Sequence, residues 1–153
     1  MKVCVVDATA SATQVRFDGL AARYVRWELG RSGAELVDDP LRADVMCMTA
    51  VSPQEWKAVP AALRKAGMAS SPEGRRARGQ PPVVLGGQAA MSPAIFDRFV
   101  DVCCVGEGRE FVRTLIRDGF DAATALPNAW VPGEVREVVP DENFPWDAPP
   151  VMA

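Results

Sequence analysis

Two apolar runs in the second half of the chain each end in glycine. Val83-Val84-Leu85 ends in Gly86-Gly87, and Val100 to Val105 ends in Gly106-Glu107-Gly108. A segment with helix-like spacing follows each run. This repeated unit of apolar strand, glycine turn and helix demands parallel strands joined by crossovers. It also brings both glycine turns to the carboxyl edge of one sheet, where a backbone without Cβ atoms admits close approach of a ligand.

The rest of the chain fits the same alternation. Lys2 to Asp7 reads as a first strand and Ala8 to Gln14 as a small polar loop. From about Val15 to Arg31, Phe17, Leu20, Ala21, Tyr24 and Leu29 recur at helical spacing, and Gly30 and Gly33 end the helix. Ala34 to Val37 and Ala43 to Met48 read as strands two and three. Ser52-Pro53-Gln54-Glu55 is a helix start, with a capping serine, a proline at the first position and an acid three residues after the cap. That helix is expected to reach about Ala66, with Pro60 kinking it. Gly67 to Gln80 reads as a solvated loop, its Gly74–Gly79 arginine cluster offering an alternative phosphate or nucleic-acid contact. Ser92-Pro93 opens another helix, to about Phe99, and Arg109 to Arg117 forms the last. The predicted fold is a doubly wound, flavodoxin-like parallel sheet of five strands in the order 2-1-3-4-5. Residues 1–122 form this Rossmann-like domain. Residues 123–153 form a proline-rich tail, with a hairpin over Trp130–Val139 turning at Pro132-Gly133 and a linker-like end from Asp147. Trp130 and Trp146 are expected to dock the tail.

Composition narrows the chemistry. The chain of 153 residues has a net charge of −3, which gives no basic field for nucleic acid or anionic lipid. No apolar run reaches the roughly 18 residues of a membrane span, and the N-terminus reads as a strand rather than a signal peptide, so a cytoplasmic location is expected. The four cysteines, Cys4, Cys47, Cys103 and Cys104, lie in apolar runs without metal-ligand spacing and read as buried reduced thiols. There is no histidine. The usual general base near neutral pH is therefore missing, along with any Ser-His or Cys-His pair, and no autonomous catalysis is expected.

At the glycine edge, Gly86 and Gly87 would let a flat ligand face or a phosphate lie on the backbone, or would simply end a strand. The helix after Gly108 aims free N–H groups at the same edge. Glu107 would accept hydrogen bonds from a ribose or amide, or cap that helix. Gln88 suits an amide-bearing ligand. Asp7 would bind magnesium or accept a proton, though no second acid accompanies it.

These residues resemble the cobalamin-binding domain that precedes many radical SAM enzymes. Phe17-Asp18-Gly19-Leu20 and the helix after it resemble that family's first helix, and Ala43-Asp44-Val45 its third strand. Gly86-Gly87, Asp101 and Gly106-Glu107-Gly108-Arg109 resemble its GG…D-x-(apolar)-GEGE pattern. Leu126 to Trp130 and Asn143 to Trp146 resemble the segment that joins the domain to a catalytic barrel. The resemblance spans almost the whole chain. It implies that cobalamin lies along the strand ends, against Thr49 to Ser52, Gly86 to Gln88 and Gly106 to Gly108. Arg109 departs from the pattern by replacing its second acid. The Asp-x-His-x-x-Gly motif of cobalamin-dependent mutases is absent, so cobalt would lack a histidine lower ligand. The CxxxCxxC motif is absent too, so no iron–sulfur cluster is expected in this chain. The resemblance thus implies an accessory domain holding cobalamin for a separate radical SAM or methyltransferase partner: a stand-alone module, split subunit or remnant. The alternatives are an interaction module that kept the fold and lost the ligand, and a small flavodoxin-like enzyme or nucleotide binder.

Overall fold

The computed structural model describes residues 1–13 and 19–142. The expected helix start near Val15, with Phe17 and Asp18, and the segment Asn143–Ala153, with Trp146, lie outside the described residues. Described strands are β1 (Lys2–Asp7), β2 (Glu35–Leu36), β3 (Val45–Thr49), β4 (Val83–Gly86), β5 (Val102–Cys104) and β6 (Ala129–Trp130). Helices are α1 (Ala8–Thr13), α2 (Leu20–Arg31), α3 (Ala58–Lys65), α4 (Pro72–Ala77), α5 (Arg109–Asp118) and α6 (Phe120–Thr124).

The strands form a six-stranded sheet in the order β2-β1-β3-β4-β5-β6. The first five are parallel in the predicted flavodoxin-like order, and β6 adds antiparallel to β5 through Cys103–Trp130 and Cys104–Ala129. Successive strand residues face opposite sides, so each strand feeds two cores. Met46, Met48, Val83, Leu85 and Cys103 pack on one side with Val59, Leu63 and Phe96. Val3, Val5, Val45, Cys47, Val84, Val102 and Cys104 pack on the other with Leu29, Phe111 and Leu115. Burying each such Val, Leu or Phe contributes about 1.5–3 kcal/mol. No helix among the described residues is long and apolar enough to cross a membrane.

Several local expectations are corrected. Ala8–Thr13 is a helix rather than a loop, because Asp7 caps it: the Ala10 N–H donates to Asp7 Oδ1 at 3.0 Å. The stretch between α3 and β4 contains α4, whose cap Ser71 accepts the Gly74 N–H at 3.0 Å. Arg75, expected in solvent, is fully buried and paired with Asp101 at 2.6 Å. The hairpin keeps its turn, with the Glu134 N–H bonded to Val131 O at 3.1 Å, but has no returning strand. Its far arm bonds elsewhere: the Val139 N–H donates to Pro127 O at 2.9 Å. The crossover from β4 to β5 consists of two 3-10 turns, Gln88–Met91 and Pro93–Phe96, rather than an α-helix. Pro60 does not interrupt α3, because the helix starts at Ala58 and leaves Pro60 in its first turn, where an N–H would have no helical partner.

Candidate functional site

Because β1, β3, β4 and β5 are parallel, the segments after them leave one edge of the sheet. The residues expected at a ligand edge divide there into an open group and a covered one.

The open group lies at the ends of β3 and β4. Thr49 is buried and pairs in register with Gly86. A Cβ built on Gly86 meets nothing within 4 Å, and the next two residues lead to an exposed Gln88. Ser52 caps the 3-10 turn Pro53–Glu55 by accepting the Gln54 N–H at 3.3 Å, and its hydroxyl bonds Gln54 Oε1. Gly87 serves a different purpose. Its φ is 88°, and a Cβ there would lie 2.9 Å from Ala50 O. That glycine lets the loop after β4 pack on the loop after β3, where the Ala89 N–H donates to Ala50 O at 3.2 Å. Val51 and Met91 are exposed beside these turns.

The covered group follows β5. Gly106 has φ 87°, and Asp141 bridges it as a parallel strand would. The Glu107 N–H donates to Asp141 O at 2.6 Å, and the Asp141 N–H donates to Val105 O at 3.2 Å. The Glu107 carboxylate accepts the Gly108 N–H at 3.1 Å, the helix-facing role expected as one of its two. Burial pushes the Glu107 carboxyl above its ordinary range; the Gly108 N–H opposes this, and the Asp141 charge adds to it. Gly108 is the N-cap of α5, with the Cys104 sulfur 3.8 Å from its Cβ position.

Several residues that build this edge were not legible as site residues. Buried Asn128 donates from Nδ2 to Glu107 O at 3.3 Å, and its own carbonyl accepts the Val105 N–H at 2.9 Å. Behind the loop, fully buried Glu28 on α2 pairs with Arg113 at 2.7 Å and Arg109 at 3.6 Å on α5. Arg109, where the resemblance expected an acid, therefore answers a buried carboxylate. Burial, with the charges of Glu107 and Glu28, pushes the Tyr24 hydroxyl up to about 12. The nearest sequence signal for this cluster was the helical spacing of Tyr24 and Glu28.

The edge between β1 and β3 is bridged by the chain itself. Asp7 pairs in register with Thr49, but its carboxylate accepts the Ala10 N–H and, at 2.7 Å, the Gly19 N–H. Thr9 accepts the Val51 N–H at 3.4 Å and donates to Glu55 at 3.0 Å. Asp7 thus acts as a structural cap, holding the Ala10 and Gly19 backbone. No group of three or more His, Cys, Asp or Glu positioned for a metal ion occurs among the described residues.

A family model described as "Radical SAM proteins, N-terminal" matches residues 34–125, more than half of the chain. The chain belongs to this family. The matched span begins before β2 and ends after α6, so it holds both glycine turns, Arg75, Asp101 and the GEG loop. Membership of the radical SAM N-terminal family ties the domain to radical SAM proteins. No curated protein matches the chain.

Proposed function

We propose that this radical SAM N-terminal domain is a corrinoid-binding accessory domain, holding cobalamin for a radical SAM or methyltransferase partner. The observation that carries the reading is Gly86: a glycine with open space above it, at the carboxyl end of a central parallel strand, in register with buried Thr49 and followed by exposed Gln88. An edge of this kind suits a broad, amide-rich ligand laid against backbone.

Along Thr49 to Ser52 and Gly86 to Gln88, the open space at Gly86 and the exposed Gln88 would suit the cofactor. Thr49 and Ala50 are buried beneath the loops after β3 and β4, Gly86 would leave room for a flat face, and exposed Gln88 would offer both donors and an acceptor to side-chain amides. Cobalamin would supply cobalt-centred methyl or radical chemistry when bound. This chain's own part is to bind, orient and shield one side of it. With no histidine in the sequence, no imidazole of this chain would ligate the cobalt.

One observation favours the second reading, an interaction module that kept the fold and lost the ligand: at Gly106 and Glu107 the backbone is taken by Asp141. Anaerobic titration with hydroxocobalamin, then desalting and a visible spectrum, separates the two. The corrinoid reading expects retained cobalamin, lost in Gly86→Leu with the fold intact by circular dichroism. No retention at high micromolar ligand overturns it in favour of the interaction module.

A further inference from the structure

The chain after the Pro132-Gly133 turn is fastened at a few points. The Arg136 guanidinium donates to Thr124 O at 2.5 Å, the Val139 N–H to Pro127 O at 2.9 Å, and Asp141 exchanges backbone bonds with Val105 and Glu107. Between these points little apolar surface is buried: Val138 packs on the core, but Val135, Glu137, Val139 and Pro140 are exposed. A segment fastened at scattered points, with few buried apolar contacts, opens at a free energy well below that of global unfolding.

The last fastening falls on a candidate ligand contact. Asp141 O takes the Glu107 N–H, and the Asp141 backbone lies against Gly106 where no Cβ intervenes. An acceptor oxygen of a ligand at the GEG loop would need that same N–H and that same space. We propose that Val139–Asp141 is a latch: closed, it substitutes its own carbonyl for a ligand oxygen at Glu107; open, it frees the Gly106–Glu107 backbone for the ligand. The ligand's identity rests on the corrinoid reading, but the latch does not. Ligand and latch compete for one set of backbone groups, so releasing the latch raises affinity without adding a contact.

Amide hydrogen exchange on the full chain tests this. The Glu107 N–H should exchange at least about tenfold faster than the β5 amides of Cys103 and Cys104. Val139→Pro, which removes the donor to Pro127, should speed Glu107 further and leave β5 unchanged. Arg136→Ala serves the same purpose should the proline unfold the domain. Glu107 exchanging together with β5, or unmoved by both variants, overturns the latch. Hydroxocobalamin retention should rise at least about threefold in the released variants. Equal retention by wild type and released variants overturns the competition. No retention by any of them, with Glu107 opening locally, tells against the corrinoid reading while the exchange result upholds the latch.

Discussion

The backbone of Asp141 occupies the place that a side chain on Gly106 would need: its nitrogen lies 2.8 Å from where a Cβ would be, and its carbonyl oxygen closer still. The glycine that looks like a ligand cradle in the sequence is, in the folded chain, a seat for the chain's own tail.

Gly106→Ala and Gly86→Ala should therefore behave differently. The first puts a Cβ into Asp141 at φ 87° and should cost about 1–3 kcal/mol. The second meets open space and should change stability by no more than about 0.5 kcal/mol. Urea denaturation of both variants checks the contrast; equal losses would refute it.

Asp101 anchors the base of the sheet. It pairs with buried Arg75 at 2.6 Å, accepts the Val83 N–H at 2.8 Å and reaches Arg76 at 3.4 Å. Asp101→Ala strands a buried guanidinium and should cost roughly 3–5 kcal/mol. Arg75→Met should cost less, because Asp101 keeps Val83 and Arg76. A double-mutant cycle between positions 75 and 101 should show strong coupling by chemical denaturation.

Glu107 should give the domain a pH signature. Its carboxyl is raised in the folded state, mainly by burial, so the folded protein holds the proton more tightly than the unfolded chain. This group's contribution therefore declines as pH rises from the ordinary glutamate range through the raised value. Gln cannot ionise and keeps the carbonyl that accepts the Gly108 N–H. The melting temperature of Glu107→Gln relative to wild type should be higher at about pH 7 than at about pH 4. A difference that does not change with pH would argue against it.

The cysteines should be silent in the native state. All four are buried and free. Burial pushes the thiols of Cys47 and Cys104 up to about 12, and raises those of Cys4 and Cys103 as well. A thiol reagent at mildly alkaline pH should label none of them until denaturant is added, and then all four. Rapid native labelling of any one would contradict its placement.

Strand order was legible because apolar runs and glycine stops are local, and the alternation of strand and helix admits few topologies. What escaped depended on partners far along the chain. Three arginines within Gly74–Gly79 look solvated until Asp101, 26 residues beyond Arg75, closes on the first of them. Pro132-Gly133 does signal a turn, but the returning arm found Pro127 and Val105 rather than Trp130. Gly86, Gly87 and Gly106 read alike as glycines at strand ends. Only the fold separates the one facing open space from those accommodating Ala50 and Asp141. The helix of Ala8–Thr13 escaped because its alanine- and threonine-rich sequence carries no apolar stripe, and its cap, Asp7, read as the end of a strand.

The sheet's two outermost strands also bear on how copies of the protein behave in crowded solution. β2 and β6 are each two residues long, at opposite ends of the six-stranded order. A neighbouring molecule seeking to extend the sheet finds at either margin a ladder too short to template a stable pairing. The long apolar strands that would propagate such stacking are shut inside, so this architecture resists edge-to-edge aggregation through the brevity of its margins.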